Sequence, residues 1–362
     1  MMRSKYYTTL RIEQLDHRMT PDIDSVPMGG GNVQVYLSGG NLYIIGDDDD
    51  NTLALWNVSP NAIRVLGTGT TVNNTSSAEV FALGAIRSVF INLRDGDDTI
   101  VLGDQVDDTG DTDSQNLIVL GNLRIDLGGG NNTVSLENLY VGGMTNVRAV
   151  GGDDTLDIDT TASQPSYFRG NVSVTLGGGN NDVVGNIFGV GGSFSLTTAN
   201  GNDEIELASA TIARNLLIAA NNGADDISIS DTEVYGNLTR IATGLGNDVI
   251  NLSSSDFKRL FILTDGGNDT VDIGVTLGGV TAVSLDITTW TGNDTVNITD
   301  SDFQIATSVS TGADNDTINV SGSNFLGGLT VDGEGGTDIF NGLDASFGNT
   351  GIITLNNIET IN

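Results

Sequence analysis

The chain has 362 residues and a formal charge of −33, with 49 glycines, 4 prolines and no cysteine. This balance excludes nucleic acid as a partner, because binding phosphates needs clustered Lys and Arg, and it excludes disulfides, thiolate metal sites and thiol nucleophiles. No apolar run approaches the ~20 residues of a membrane span, and the surplus of acid favours cations and neutral or basic surfaces.

Residues 1–28 stand apart from the rest. They carry Arg3, Lys5, Arg11 and Arg18, four of the 14 basic residues, and the single histidine, His17. They lack the apolar stretch of a secretory signal peptide. The run Thr9-Leu10-Arg11-Ile12-Glu13-Gln14-Leu15-Asp16-His17-Arg18-Met19-Thr20-Pro21 resembles the N-terminal motif of planctomycete exported proteins, which reads roughly Leu-x-x-Leu-Glu-x-Arg-x-x-Pro. Ile12, Leu15, Asp16, Arg18 and Pro21 occupy the pattern, with Asp16 in place of Glu. The resemblance implies export to the cell surface or envelope and implies nothing about activity.

From residue 29 onward a repeat dominates. Turns such as Gly246-Asn247-Asp248, Gly267-Asn268-Asp269 and Gly292-Asn293-Asp294 are each followed by an alternating apolar strand. With the last Asx of each turn as the anchor, the series is Asn51, Asp98, Asn132, Asp154, Asp182, Asp203, Asp225, Asp248, Asp269, Asp294, Asp316 and Asp338. From Asp203 the steps are 22, 23, 21, 25, 22 and 22. Residues two and four past the anchor are apolar, as in Ile100 and Leu102 or Ile205 and Leu207. That alternation reads as a strand with one buried face. A second apolar strand precedes each turn, for example Val172–Leu176 or Val283–Ile287.

A fixed period of this size predicts stacked coils that bury apolar surface only against their neighbours. The predicted fold is all-β: one right-handed parallel β-helix over 29–362, about 22 residues per coil and roughly 13 coils. The 47-residue gap between Asn51 and Asp98 predicts a degenerate coil near Asn73 and Asn74. Two long steps predict insertions over Asp104–Asn116 and Thr160–Gly170, leaving from one corner of the rod. Phe257, Phe303, Phe325 and Phe347, with Tyr235 and Tyr140 at nearly the same offset, predict an internal aromatic stack.

The anchors are the most distinctive chemical feature. Stacking puts carboxylates about one strand spacing apart, where two full charges repel by ~1 kcal/mol in water and more in a drier setting. Two answers suit this pattern. Each Asp accepts backbone N–H groups of the turns, as Asx-turns do, or Ca2+ neutralises the row with carboxylate and carbonyl oxygens. On the second reading the metal ligands are Asp98, Asp154, Asp203, Asp225, Asp248, Asp269, Asp294 and Asp316. The run Gly266-Gly267-Asn268-Asp269-Thr270-Val271-Asp272 resembles the turn chemistry of calcium-binding RTX repeats, although those recur every nine residues and these do not. The Asn before each anchor (Asn181, Asn202, Asn247, Asn268, Asn293, Asn315) resembles the internal Asn ladders of β-helices.

Further acid gathers at Asp47–Asp50 and at Asp104, Asp107, Asp108, Asp111 and Asp113. With one His near the N-terminus, His-based catalysis is excluded from the repeat. The one candidate cleft sets Tyr167-Phe168-Arg169 against the acidic loop at Asp107 and Asp108. The sequence therefore points to an exported structural or adhesive solenoid, acidic and calcium-stabilised. Its expected partners are divalent cations, a second copy stacked end to end, or cell-surface glycans. A polysaccharide-active enzyme, lyase or glycosidase, is the alternative.

Overall fold

The computed structural model describes residues 30–59, 62–76, 79–82, 86–103, 117–159, 165–274, 279–342, 345–347 and 352–362. The segment 1–28, with His17 and the export-like motif, lies outside the described residues, as do Asp104, Asp107, Asp108, Asp111 and Asp113. Among the described residues the chain is all-β, a stack of parallel strands forming a β-solenoid of about 10 turns at ~22-residue spacing.

Two sheets run the length of the stack. The strands that follow the anchors form the first. Their apolar residues keep one register from Leu53 through Ile100, Val134, Leu156, Val183, Ile205, Ile227, Ile250, Val271, Val296 and Ile318 to Phe340. The strands that precede the anchors belong to the second sheet. There the register is continuous from Leu42 through Val89, Leu123, Thr145, Val172, Phe194, Leu216, Thr239, Leu260, Leu285 and Thr307 to Leu329. Every residue in these two files is buried. The cause is the period of two: alternate side chains face inward, and a one-residue slip would turn a whole file outward.

The N-terminal end is built differently. Its strands are β1 (Asn32–Ser38), β2 (Asn41–Ile45), β3 (Thr52–Ser59), β4 (Ala62–Gly67), β5 (Thr71–Val72), β6 (Glu79–Ala82), β7 (Val89–Asn92) and β8 (Thr99–Leu102). β2 and β3 pair in parallel with β7 and β8. Beyond them the pairing turns antiparallel: β1 runs antiparallel to β2, β4 to β3, and β6 to β4. Among the described residues no degenerate coil stands between Asn51 and Asp98. Asn51 and Asp98 are direct neighbours, with the Asn51 backbone N–H donating to Asp98 Oδ1 at 2.8 Å. β4 and β6 instead extend the first sheet beyond β3 at that end of the rod.

The inward aromatic file is also corrected in part. Phe257, Phe303 and Phe325 are buried, and Phe303 stacks on Phe325 with centroids 5.2 Å apart. Phe347 continues their strand register. Tyr140 and Tyr235 sit one residue out of step and face outward, while Val141 and Val234 take the interior places. A shift of one residue in a strand exchanges faces, so an offset that looks close is wrong by a full side. The expected insertion over Thr160–Gly170 is shorter too. Tyr167–Phe168 is a regular strand paired with Leu139–Val141 before it and Gly189–Val190 after it.

Candidate functional site

The anchor corner is the site the sequence singles out. The residue two before each anchor is nearly always a glycine with positive φ, such as Gly246 at +147°. A Cβ at Gly246 would overlap the carbonyl oxygen of Gly223 in the preceding coil. At Gly246 the neighbouring turn is so close that a side chain would clash, in a backbone conformation that glycine adopts without cost.

This close approach creates two side-chain ladders on adjacent residues, running in opposite directions. The inner ladder joins the anchors. The backbone N–H of each anchor donates to Oδ1 of the anchor in the next coil, from Asn51 through Asp98, Asn132, Asp154, Asn181, Asp203, Asp225, Asp248, Asp269, Asp294 and Asp316 to Asp338, at 2.8–3.2 Å. Asp338 closes the series by donating to Glu359 Oε2 at 2.7 Å. All twelve anchors are at most 2 % exposed.

The outer ladder uses the residue just before the anchor and points the other way. Asp97 N–H donates back to Asp50 Oδ1, Asn131 to Asp97, Asp153 to Asn131, Asn180 to Asp153 and Asn202 to Asn180. It resumes as Asn268 to Asn247, Asn293 to Asn268 and Asn315 to Asn293.

Two expectations change here. Asn181 is the anchor of its coil and Asp182 is not. Asp182 opens the next strand and is exposed. The spacing from the positive-φ glycine carries the missed signal, since Gly179 stands two before Asn181 as Gly246 stands two before Asp248. Second, Asn202, Asn247, Asn268, Asn293 and Asn315 form an exposed ladder, so the internal Asn ladder expected of them is an external one.

The eight residues predicted as calcium ligands all lie on the inner file, one per coil. Among the described residues no three or more acidic side chains gather into a group fit for a metal ion. Oδ1 of each is committed to a backbone N–H. Oδ2 of Asp98, Asp154, Asp203, Asp225, Asp248, Asp269, Asp294, Asp316 and Asp338 is buried without a hydrogen-bond partner. Burial raises the carboxyls accordingly: Asp98, Asp225 and Asp316 to about 7, Asp154 and Asp269 to about 6, and Asp248, Asp294 and Asp338 upward. The N–H bonds pull the other way, and so do the hydroxyls of Thr243, Thr264, Thr289 and Thr311 beside Asp248, Asp269, Asp294 and Asp316; those of Thr243, Thr264 and Thr311 stop short of full hydrogen-bond geometry, and that of Thr289 donates to the Thr311 carbonyl at 3.0 Å.

The file has two halves. From Asn51 to Asp203 amide and acid alternate. There the Nδ2 of Asn51, Asn132 and Asn181 donates to the Oδ1 of Asp98, Asp154 and Asp203 at 3.2, 2.8 and 2.8 Å. From Asp203 onward every anchor is an acid, and a buried Thr stands five before four of them in succession, where the first half places Leu93, Leu127 and Leu176.

The remaining acidic and aromatic candidates divide plainly. Asp47 Oδ2 accepts the Asn32 N–H, and Asp50 is the first rung of the outer ladder, so this cluster caps turns. Of the proposed cleft, Phe168 is buried in the core and Tyr167 is 44 % exposed. Outside the rod, Tyr36, Tyr43 and Phe90 stack at 5.1 Å spacing, and Tyr140 stacks on Tyr167 at 6.1 Å.

These features define a β-solenoid repeat protein whose coils are joined by side-chain ladders. Compared with protein-family models, with curated proteins and with solved structures, the chain matches none of them. Among the described residues no helix is long and apolar enough to cross a membrane.

Proposed function

We propose that the chain is an exported structural solenoid, a stiff acidic rod that holds or presents other structures at a cell surface. The observation that carries this reading is the unbroken inner ladder from Asn51 to Glu359, which spends the distinctive buried polar groups on joining coils. A side-chain hydrogen bond contributes about 1 kcal/mol net, and repeated at each coil it stiffens the whole length. The motif at Thr9–Pro21 supports export.

The exterior fits the role. Asp182, Glu204 and Asp226 are exposed on directly adjacent strands, and with −33 formal charges the rod draws a cloud of divalent cations such as Ca2+ by long-range attraction. The stacked Tyr36, Tyr43 and Phe90 and the Tyr140–Tyr167 pair offer aromatic ledges to a glycan. End-to-end growth is disfavoured at one end, where antiparallel hairpins cover the parallel coil edge.

Electron microscopy and small-angle scattering of the full chain test the reading. Isolated rods ~50 Å long, from about 10 coils at one strand spacing each, are the expected result. Depolymerisation of any of a panel of acidic and neutral polysaccharides, lost in Arg169→Ala, would replace it with the enzyme alternative.

A further inference from the structure

Nine buried carboxyls keep an oxygen with no hydrogen-bond partner, and three positions in the same file show what such a site prefers. At Asn51, Asn132 and Asn181 the side-chain nitrogen stands on the corresponding branch of the side chain, and in every case it donates to the carbonyl two residues earlier: Asp49 O at 2.7 Å, Gly130 O at 3.0 Å and Gly179 O at 3.1 Å. Asn181 also reaches Gly177 O at 3.2 Å. The turn thus presents carbonyl oxygens to the end of the anchor side chain, and carbonyls call for a donor. A carboxylate oxygen facing them is repelled, whereas a carboxylic acid supplies the missing hydrogen.

We propose that the folded rod carries the buried anchors Asp98, Asp154, Asp225, Asp248, Asp269, Asp294, Asp316 and Asp338 as carboxylic acids, each Oδ2–H donating to the carbonyl two residues before it. Each rung then takes one proton from solvent on folding, and the acid mimics the amide of the Asn rungs. The charged groups facing the file all favour this state, because all are acidic. Asp47 and Asp50 face Asp98, Asp153 faces Asp154, Asp265 faces Asp248, Asp314 faces Asp294 and Glu359 faces Asp338. Within the all-acid half the neighbouring rungs face each other, as Asp203 and Asp248 do across Asp225. The one ion pair among the described residues, Arg124 with Asp126, lies on the outer face of the second sheet. Burial has raised the carboxyls in the sense this requires. The inference holds whatever the rod does outside the cell, so it stands or falls apart from the scaffold reading.

Asp225→Asn and Asp269→Asn in the full chain provide the test, since each places an amide where the acid stands. Thermal melts are taken at pH 4 and pH 8, in millimolar calcium and in excess chelator. The expected result is that both variants match the wild type at pH 4 and melt higher at pH 8, with calcium making no difference. The advantage of the variants grows about tenfold in the unfolding equilibrium for each pH unit between the unfolded and folded pKa values. Variants that melt lower than the wild type at pH 8 overturn the proposal, and if the loss appears only in calcium the file binds the metal as carboxylates. Equal melting at both pH values overturns it as well. Should the variants fail to fold, infrared spectra of the wild type decide. At pH 6 a protonated-carboxyl stretch that shifts in D2O is expected, and its absence rejects the proposal.

Discussion

The side-chain amide of Asn181 donates to Asp203 Oδ1 at 2.8 Å, the same oxygen that accepts the Asn181 backbone N–H at 2.8 Å. One carboxyl oxygen thus holds two donors from the coil before it, and the amide's other hydrogen is spent on the turn carbonyls. Asn181→Asp removes these side-chain donors and sets a second carboxyl against Asp154 and Asp203. The loss of buried hydrogen bonds costs about 2–3 kcal/mol near neutral pH. It shrinks toward pH 4, where the new acid is protonated and donates again. Urea unfolding at the two pH values measures this, and an unchanged midpoint near neutral pH would show that the amide rungs carry no stability.

The wild-type rod is itself expected to lose stability as pH rises. Asp98, Asp225 and Asp316 titrate at about 7, and Asp154 and Asp269 at about 6, in the folded chain, against about 3.9 for Asp in an unfolded one. Folding therefore binds protons. Its contribution is complete below about pH 4 and is lost through about pH 7, at about 1.4 kcal/mol per pH unit for each group that titrates. Repulsion among exterior carboxylates acts in the same direction but is screened by salt, whereas a buried file is not. Urea midpoints that fall from pH 4 to pH 7 in high salt as well as low isolate the inner file. A midpoint that rises with pH would contradict it.

Much of the fold is legible in the sequence because each coil repeats the same two-residue alternation. Ile205 and Leu207, or Val296 and Ile298, announce their buried faces without reference to any partner. What could not be read has a common cause: ladders are properties of neighbouring coils, and the sequence shows one coil at a time. Asn181 and Asp182 are equally good turn residues by type, and only the distance from Gly179 separates them. The donor role of the Asn rungs emerges only where Gly130 and Gly179 carbonyls meet the side chains. Likewise β4 has the apolar alternation of a coil strand, with Ile63 and Val65 buried, and nothing in that pattern tells parallel from antiparallel pairing.

Two glycines separate close approach from mere flexibility. Gly246, at φ +147°, stands with its α-carbon against the Gly223 carbonyl, while Gly335 has nothing within 4 Å of a Cβ position. Gly246→Ala adds both a steric overlap with backbone and an unfavourable φ, and a loss above about 2 kcal/mol is expected. Gly335→Ala lacks both penalties and is expected to be neutral or to gain up to about 1 kcal/mol by restricting the unfolded chain. Equal losses in the two variants would mean that coil spacing at this corner yields easily.

The outer ladder has one visible gap, at Ala224. Its N–H donates back to Asn202 Oδ1 at 2.8 Å, but alanine offers no side-chain oxygen to the N–H of Asn247 in the next coil. Ala224→Asn restores the acceptor in the geometry seen at Asn268, whose Oδ1 takes the Asn293 N–H at 2.7 Å. The position is exposed, so the gain is modest, about 0.5–1 kcal/mol. Because a solenoid couples nearest neighbours, the gain concentrates in the coils of Asp225 and Asp248. Amide hydrogen exchange resolves this: Asn247 and its neighbours slow in the variant while the Asp98 and Asp316 turns keep their rates. Uniform slowing along the rod would mean that the coils unfold as one unit, and no slowing at Asn247 would mean that the outer ladder leaves stability unchanged.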